Sequence, residues 1–353
     1  MEVFELMSDM GHEQIAFCYD KVSGLKAIIA IHDTTLGPAL GGTRMWNYDT
    51  EEEAIVDALR LSQGMTYKSA AMGLNLGGGK GVIIADSRKD KSEELWRAYG
   101  RFVDSLGGRY ITAEDVGTSP EDLAIVAEET EFAGGLMHKS GDPSPATAYG
   151  VFVGIQAAIE HLDGSSDLTG TKVAVQGVGS VGYVLCDYLH DAGAELIVSD
   201  IYEDKVERVV RDFGAEVADP DDIHAVACDV YSPCALGAVI NDTTLPQLNC
   251  RVVAGAANNQ LEERHHGDAL RQKGILYATD FVINGGGVTN VYHEFHPGGY
   301  SKELAYKKIA GIGGQLHRIF ETSEKEDIPT HVAAERIARA RIEAIGQIQR
   351  IRV

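Results

Sequence analysis

The sequence predicts an α/β protein of two domains, one of them built on a doubly wound parallel sheet. Three observations carry the prediction. The chain has 353 residues, more than one hydrophobic core usually organises. Beyond residue 170, short runs of branched apolar residues alternate with helical patterns, which is the spacing of parallel βαβ units. Finally, Gly177-Val178-Gly179-Ser180-Val181-Gly182 directly follows one such run and opens a helical pattern.

Composition narrows the function classes. A hydrophobic content of 44% and a charged content of 24% are ordinary for a globular protein. The net charge of −22 leaves no surplus of cations to neutralise phosphates, so nucleic acid is not an expected partner. No apolar run approaches the roughly 20 residues of a membrane span. The first residues, M-E-V-F-E-L-M-S-D-M, lack the features of a signal peptide. The five cysteines include no C-x-x-C pair, which fits reduced thiols in a cytoplasmic protein.

Taken in order, L-K-A-I-I-A-I at 25–31 reads as a strand, and the Gly- and Pro-rich stretch 32–45 as a loop. Thr50 and Glu53 form a capping box for a helix with Ile55, Leu59 and Met65 on one face, running towards Lys68. The stretch 68–81, K-S-A-A-M-G-L-N-L-G-G-G-K-G, reads as a glycine turn between two lysines. Three consecutive glycines cost backbone entropy, so the expectation is a backbone brought close to a small ligand. G-V-I-I-A-D after Lys80 reads as a strand. Residues 91–106 read as a helix with Leu95, Trp96, Tyr99 and Phe102 as its apolar stripe, and R-Y-I-T-A-E-D-V-G as a strand entering a loop. Ser119 caps a helix with proline and acids in its first turn.

The stretch 131–145 reads as a linker. Ser144-Pro145 is expected to cap the helix through Thr147, Tyr149, Val153 and Ile159. The strand runs that follow are T-K-V-A-V-Q, A-E-L-I-V-S-D, A-E-V-A-D, C-D-V-Y-S-P, R-V-V-A-G-A, G-I-L-Y-A and F-V-I-N. From Leu304 the chain reads as helical. Ile337, Ile342, Ile345 and Ile348 lie between arginines, a face for packing or subunit contact.

The glycine motif gains meaning from its context. A second strand, L-I-V-S-D, ends in Asp200. Strand, glycine turn, helix and acid together make the dinucleotide fingerprint. Gly177, Gly179 and Gly182, with Ser180 and Val181 between them, let backbone approach a pyrophosphate at the helix N-terminus. Asp200 would accept from the ribose hydroxyls. The residues after it, I-Y-E-D, offer no arginine for a 2′-phosphate, so NAD is expected over NADP in a Rossmann-type domain. Other motifs fall away. Lys80 is no Walker A lysine, because Leu74 and Gly81 stand where glycine and a hydroxyl residue are required. H-E-F-H at 293–296 lacks the spacing of a zinc helix. His265 and His266, being adjacent, are expected to point apart as surface residues. No metal is expected, and no serine nucleophile elbow occurs.

A dinucleotide domain implies hydride transfer, so the other domain must supply substrate chemistry. Lys68, Lys80 and Asp115 fit an α-amino acid. One ammonium pairs its carboxylate, a lysine of lowered pKa activates water or polarises a carbonyl, and a carboxylate moves protons at the nitrogen.

Long stretches of the chain carry a resemblance. S-G-L-K-A-I-I-A-I-H-D-T-T-L-G-P-A-L-G-G-T-R-M-W, G-L-N-L-G-G-G-K, G-R-Y-I-T-A-E-D-V-G, P-S-P-A-T-A-Y-G-V, A-V-Q-G-V-G and A-G-A-A-N-N-Q-L resemble the glutamate, leucine, valine and phenylalanine dehydrogenases, and among them the leucine dehydrogenases. The resemblance implies that Lys68 binds the substrate carboxylate, that Lys80 is the catalytic lysine and that Asp115 transfers protons. It implies that Thr147 bonds the nicotinamide carboxamide, and that Asn258 and Asn259 lie by the nicotinamide ribose and the substrate. The resemblance further implies that Asn284 begins the stretch entering a cleft between the domains from the nucleotide side. Gly41, Gly77 and Gly78 fall in matched segments beside the substrate.

The implied division is a substrate-binding and oligomerisation domain over 1–140, rejoined by a helix over about 328–353, and an NAD-binding domain over 141–327. The implied assembly is a homo-oligomer, an octamer in leucine dehydrogenases. Departures from the pattern are Gly81 in place of threonine, a short linker at 138–143, H-E-F-H-P-G-G-Y after Tyr292 and an early end. None touches the proposed catalytic residues.

Side-chain preference follows from one position. In glutamate dehydrogenases a lysine that grips the side-chain carboxylate matches Leu40. A carboxylate facing leucine is strongly disfavoured. Leu40, Ala113, Val288 and Val291 are expected to form an apolar pocket for leucine, valine and isoleucine, which such pockets separate poorly. Phenylalanine is the alternative, because Ala113 leaves room. A second class is an inactive NAD-binding regulatory protein. The presence of Lys68, Lys80 and Asp115 together argues against it.

Overall fold

The computed structural model describes residues 2–350; the last three residues of the arginine-rich tail lie outside it. The chain forms two compact units. The first holds the residues up to Gly141, Glu294–Tyr300 and the chain from Ala338 onward. The second holds Asp142–His293 and Ser301–Ile337. The expected boundaries differ in two places: the second unit runs on to Ile337, and a short segment after His293 returns to the first. Glu294 ties that segment down. Its carboxylate accepts the Gly135 N–H at 3.1 Å and the Ser140 hydroxyl. Burial pushes its pKa up.

The first unit begins with α1 (Val3–Met10), β1 (Gln14–Asp20), β2 (Leu25–Asp33), β3 (Ala39–Trp46) and α2 (Glu51–Ala71). It continues with β4 (Gly77–Ile84), α3 (Glu93–Ser105), β5 (Tyr110–Glu114) and α4 (Pro120–Val126). The sheet order is β1-β2-β4-β3-β5. β1 with β2 and β2 with β4 run antiparallel, while β3 lies parallel between β4 and β5. Thr50 caps α2 by accepting the Glu53 N–H at 3.2 Å; the Glu53 carboxylate reaches back to the Asp49 N–H rather than to Thr50. Ser119 and Asp122 complete the capping box of α4.

Two readings change here. Residues 39–46, expected as loop, are the strand β3, and the three glycines expected as a turn open the strand β4. The glycines are there because neighbouring protein occupies the side-chain positions. A Cβ on Gly41 would lie 1.6 Å from the Gly79 carbonyl oxygen, and one on Gly78 would lie 2.2 Å from the Thr66 backbone nitrogen, so α2 rests directly on the strand. At Gly81 a Cβ would meet the Tyr99 hydroxyl at 2.2 Å. That hydroxyl lies 2.5 Å from Thr43 Oγ1, which lies 2.6 Å from Thr112 Oγ1. The departure at Gly81 thus makes room for a buried hydroxyl network beneath α3.

The second unit begins with α5 (Ser144–Asp163), β6 (Lys172–Gln176), α6 (Ser180–Asp191), β7 (Glu195–Ser199), α7 (Glu203–Phe213) and β8 (Glu216–Val217). Then come β9 (Val230–Pro233), β10 (Val252–Val253), α8 (His265–Gln272), β11 (Leu276–Tyr277), α9 (Asp280–Ile283), α10 (Gly286–Tyr292) and α11 (Lys302–Glu326). The last helix, α12 (Thr330–Arg350), runs from this unit into the first. The sheet order is β11-β10-β9-β6-β7-β8, all parallel. Its first strand, β6, is central and the order reverses there, as in doubly wound dinucleotide folds. Of F-V-I-N, expected as a strand, Phe281 to Ile283 lie in α9 and Asn284 is its C-cap, with the Phe281 N–H bonded to the Asp280 side chain at 2.7 Å. Short apolar runs do not separate strand from helix by periodicity. Ser144 is the first helical residue of α5 rather than its cap; Pro143 holds the cap position.

Candidate active site

Strand alternation assembles a side-chain cluster in the first unit. Successive side chains point to opposite faces, and the register pairs Leu40 with Gly78 and with Ile111, Gly42 with Ala113, and Arg44 with Val82. Leu40, Gly42 and Arg44 on β3, Gly78 and Lys80 on β4, and Ala113 with Asp115 at the end of β5 therefore share one face. That face packs against α2, which carries Lys68 in its last turn. Gly41 and Gly77 lie on the same strands, buried among backbone atoms.

Lys80 is 4% exposed. Its Nζ lies 2.8 Å from Asp115 Oδ2. Burial lowers the lysine pKa, against the opposing pull of Asp115. Burial alone would raise the Asp115 pKa, but the Lys80 ammonium and the Arg44 guanidinium hold it below the usual carboxylate range. Arg44 Nε lies 3.0 Å from the same Oδ2. Behind it, Arg44 Nη1 lies 2.9 Å from Asp57 Oδ2, which also accepts the Tyr48 hydroxyl at 2.6 Å. The sequence reading missed Arg44, Asp57 and Tyr48. The signal for Arg44 was alternation from Leu40, legible only if β3 is read as a strand. Leu40 and Ala113 are both buried. Lys68 is half-buried.

The second unit carries its own candidate nucleotide site. Gly177 ends β6 with φ of +91° and donates its N–H to the Ser199 carbonyl at 2.7 Å. A Cβ on Gly182 would lie 2.0 Å from the Gly177 oxygen, so this glycine seats α6 against the turn. Gly179 is different. Its φ is −69° and a Cβ there would meet no atom within 4 Å. Among the described residues none crowds a side chain at 179, and the open notch at the N-terminus of α6, beside Ser180 and Val181, fits a pyrophosphate. Asp200 follows β7. It accepts the Val178 N–H at 2.9 Å and the Tyr202 N–H at 3.0 Å, which fix its carboxylate beside the turn.

The remaining residues also lie in the second unit. Thr147, in the first turn of α5, donates to the Pro143 carbonyl at 3.0 Å. Asn284 Nδ2 donates to Asn258 Oδ1 at 2.7 Å, which joins two of the predicted residues. Asn259 is exposed in the left-handed region, φ +51°. Val291 is buried and Val288 half-buried on α10.

One expectation about histidines is corrected. His265 and His266 do not point apart: their rings are 4.1 Å apart, and both approach Asp242 Oδ1, at 3.6 and 3.1 Å. His266 is buried, and its Nδ1 accepts the Glu263 N–H at 3.0 Å. The neutral ring therefore carries its proton on Nε2, facing Asp242, and that atom has no lone pair to offer a metal. Among the described residues no helix is long and apolar enough to cross a membrane.

The chain matches known proteins along nearly its whole length. The model of the Glu/Leu/Phe/Val dehydrogenase dimerisation domain matches residues 12–132. The Glutamate/Leucine/Phenylalanine/Valine dehydrogenase model matches 139–203 and 198–349. The chain is 58% identical to the leucine dehydrogenase of Bacillus subtilis, over 97% of this chain and 94% of that one. It is 57% identical to that of Geobacillus stearothermophilus, over 98% and 94%. The crystal structure of L-tryptophan dehydrogenase from Nostoc punctiforme superposes with a TM-score of 0.89 at 48% identity, covering 97% of this chain and 99% of that one. With both family models matched along nearly its whole length, the chain belongs to the glutamate, leucine, phenylalanine and valine dehydrogenase family.

Proposed function

We propose that the protein catalyses the reversible, NAD-dependent oxidative deamination of branched-chain L-amino acids, leucine with valine and isoleucine, to 2-oxo acids and ammonia. The observation that carries this reading is the pair of buried Lys80 and half-buried Asp115, on a sheet face that also holds Leu40 and Ala113. Lys68 pairs the substrate carboxylate. Bound NAD⁺ supplies the hydride acceptor. Asp115 takes the proton from the amino nitrogen as the Cα–H bond breaks and carries protons to the departing ammonia. Lys80, whose pKa burial lowers, takes one proton from the water that adds at Cα and later releases it to solvent; as the carbonyl forms and the C–N bond breaks, the hydroxyl at Cα gives up its remaining proton, which leaves with ammonia as ammonium. Leu40, Ala113, Val288 and Val291 contact the side chain, and Gly41, Gly77, Gly78 and Asn259 the substrate backbone atoms. Thr147, Asn258 and Asn284 orient the nicotinamide. Gly177, Gly179, Ser180, Val181 and Gly182 hold the pyrophosphate, and Asp200 the adenosine ribose, which selects NAD. The working form is a cytoplasmic homo-oligomer, an octamer by resemblance, and sedimentation of the purified protein measures its number.

The deciding experiment is a panel of L-amino acids with NAD⁺, read by NADH absorbance. Leucine, valine and isoleucine are expected to lead, with phenylalanine, tryptophan and glutamate far behind. Preference for phenylalanine or tryptophan would move the reading to an aromatic amino-acid dehydrogenase. Silence across the panel would leave an NAD-binding protein without this chemistry.

The nucleotide half has its own test. Gly179→Ala adds a methyl to open space at an allowed φ, so the melting temperature is expected to stay at the wild-type value. The same methyl intrudes where the pyrophosphate would lie, and KM for NAD⁺ is expected to rise by roughly tenfold, about 1.4 kcal/mol. An unchanged KM sinks the placement.

A further inference from the structure

The proposed mechanism uses Asp115 and Lys80 but leaves unexplained why a second cation and a second carboxylate are built behind them. Asp115 Oδ2 receives both Lys80 Nζ, at 2.8 Å, and Arg44 Nε, at 3.0 Å. Among the described residues no hydrogen bond reaches Oδ1. Arg44 is itself held from behind, its Nη1 2.9 Å from Asp57 Oδ2. Asp57 stands on α2 and accepts the Tyr48 hydroxyl at 2.6 Å. The chain Tyr48–Asp57–Arg44–Asp115–Lys80 thus ties α2, β3, the end of β5 and β4 through one guanidinium.

Two physical points decide what such a chain does. It is not a proton path, because arginine does not deprotonate in proteins. It is also a weak staple for the fold. The Arg44, Asp57 and Asp115 side chains are about a quarter exposed, at 25%, 24% and 25%, and partly exposed ion pairs contribute little stability. What a planar fork gripping two carboxylates does well is fix an orientation.

We propose that Arg44, anchored by Asp57 and Tyr48, is the positioning residue of Asp115: it turns Oδ2 towards Lys80 and leaves Oδ1 free for the reacting nitrogen. The inference rests on the catalytic reading above and extends it to residues outside the reacting set. Arg44 also acts through charge. The groups facing Asp115 are Lys80 from β4 and Arg44 from β3, with Asp57 on α2 and Tyr48 behind Arg44 and the buried Tyr110 hydroxyl nearby. Removing Arg44 takes away one of the two cations that keep the carboxyl ionised against burial, so its titration must move to higher pH.

The test compares Arg44→Gln, Arg44→Lys and Asp57→Asn with the wild type. Each is measured by steady-state kinetics on leucine and, in the absence of substrates, by ¹³C NMR titration of the Asp115 carboxyl. Arg44→Gln is expected to lose about a hundredfold in kcat, the cost of misplacing a reacting group by about an ångström. KM for leucine stays near wild type, because Arg44 does not touch substrate. The Asp115 titration moves up. Arg44→Lys keeps the charge, so it restores the titration, but it recovers only part of kcat because an ammonium cannot span two carboxylates in a fixed plane. Asp57→Asn keeps Arg44 and its charge. It is expected to lose about tenfold in kcat through looser positioning, with no upward move of the titration.

Wild-type kcat in folded Arg44→Gln, a loss confined to KM, or an unmoved Asp115 titration overturns the proposal. If Arg44→Gln does not fold, wild-type kcat in Asp57→Asn overturns it. A wild-type protein inactive on every amino acid sinks the catalytic reading instead, and the substrate-free titration still decides whether Arg44 sets Asp115.

Discussion

Lys80→Met is expected to lower turnover on leucine by about 10²–10⁴-fold, the span of a lost general acid–base, while the protein stays folded. The substitution keeps most of the volume of a side chain that is 4% exposed and so opens little cavity. Removing one member of a buried ion pair usually costs about 3–5 kcal/mol, because the partner is left uncompensated. Asp115 is a quarter exposed and keeps the Arg44 contact at 3.0 Å, so the loss should be well below that range. Activity and stability are therefore expected to separate: near-abolished kcat with a melting temperature close to wild type. Turnover at the wild-type rate would remove Lys80 from the mechanism. A collapse of both would mean that the lysine is chiefly structural.

Gly78→Ala is expected to produce the largest loss of stability. Ordinary overpacking costs about 1–3 kcal/mol, where a neighbouring side chain can shift. Here the new Cβ would lie 2.2 Å from the Thr66 backbone nitrogen and 2.3 Å from the Ser62 carbonyl oxygen, so a whole turn of α2 must lift. The cost should reach or exceed the top of that range, read as a lowered midpoint in thermal or urea unfolding. The same helix carries Asp57 and Lys68, so any folded fraction should show a raised KM for leucine. Gly64→Ala is the control. It lies on the exposed side of α2 with no atom within 4 Å of a Cβ, and replacing a helical glycine there should stabilise by roughly 0.5–1 kcal/mol. Equal melting temperatures for the two variants would refute the packing argument.

Gly78 also shows where sequence reading was misled. Three glycines in a row signal a close approach, and that part was legible, because glycine's entropy cost needs a reason. What approaches is another matter. The residues that crowd Gly78, Gly79 and Gly81 are Thr66, Tyr110 and Tyr99, distant in sequence and brought there by the fold. The turn expected at 77–79 is a strand for the same reason: flanking helix and sheet override a weak local propensity. The strand β3 was lost to its glycines and to Pro38 before it in the same way, and with it Arg44, whose partner Asp57 reads on its own as one more solvated acid on a helix.

The nucleotide half was the more legible. Its elements are consecutive, so β6, the glycine turn, α6, β7 and Asp200 follow one another in the sequence as they do in space. Local rules of turn, cap and alternation suffice for such a unit. The family resemblance and the αβ alternation were also written in the linear order. The first unit is not consecutive. Its sheet runs β1-β2-β4-β3-β5, which inserts β3 between two strands that follow it, and the chain leaves this unit twice, after Gly141 and after Tyr300, before returning at Ala338. Long-range pairings of this kind carry no local signature, since each is selected by burial and packing against residues far along the chain. That is why Lys80 could be named from its glycine-rich setting, whereas its burial, its 2.8 Å contact with Asp115 and the arginine behind that carboxylate emerge only when three separate strands and one helix are folded onto a common face.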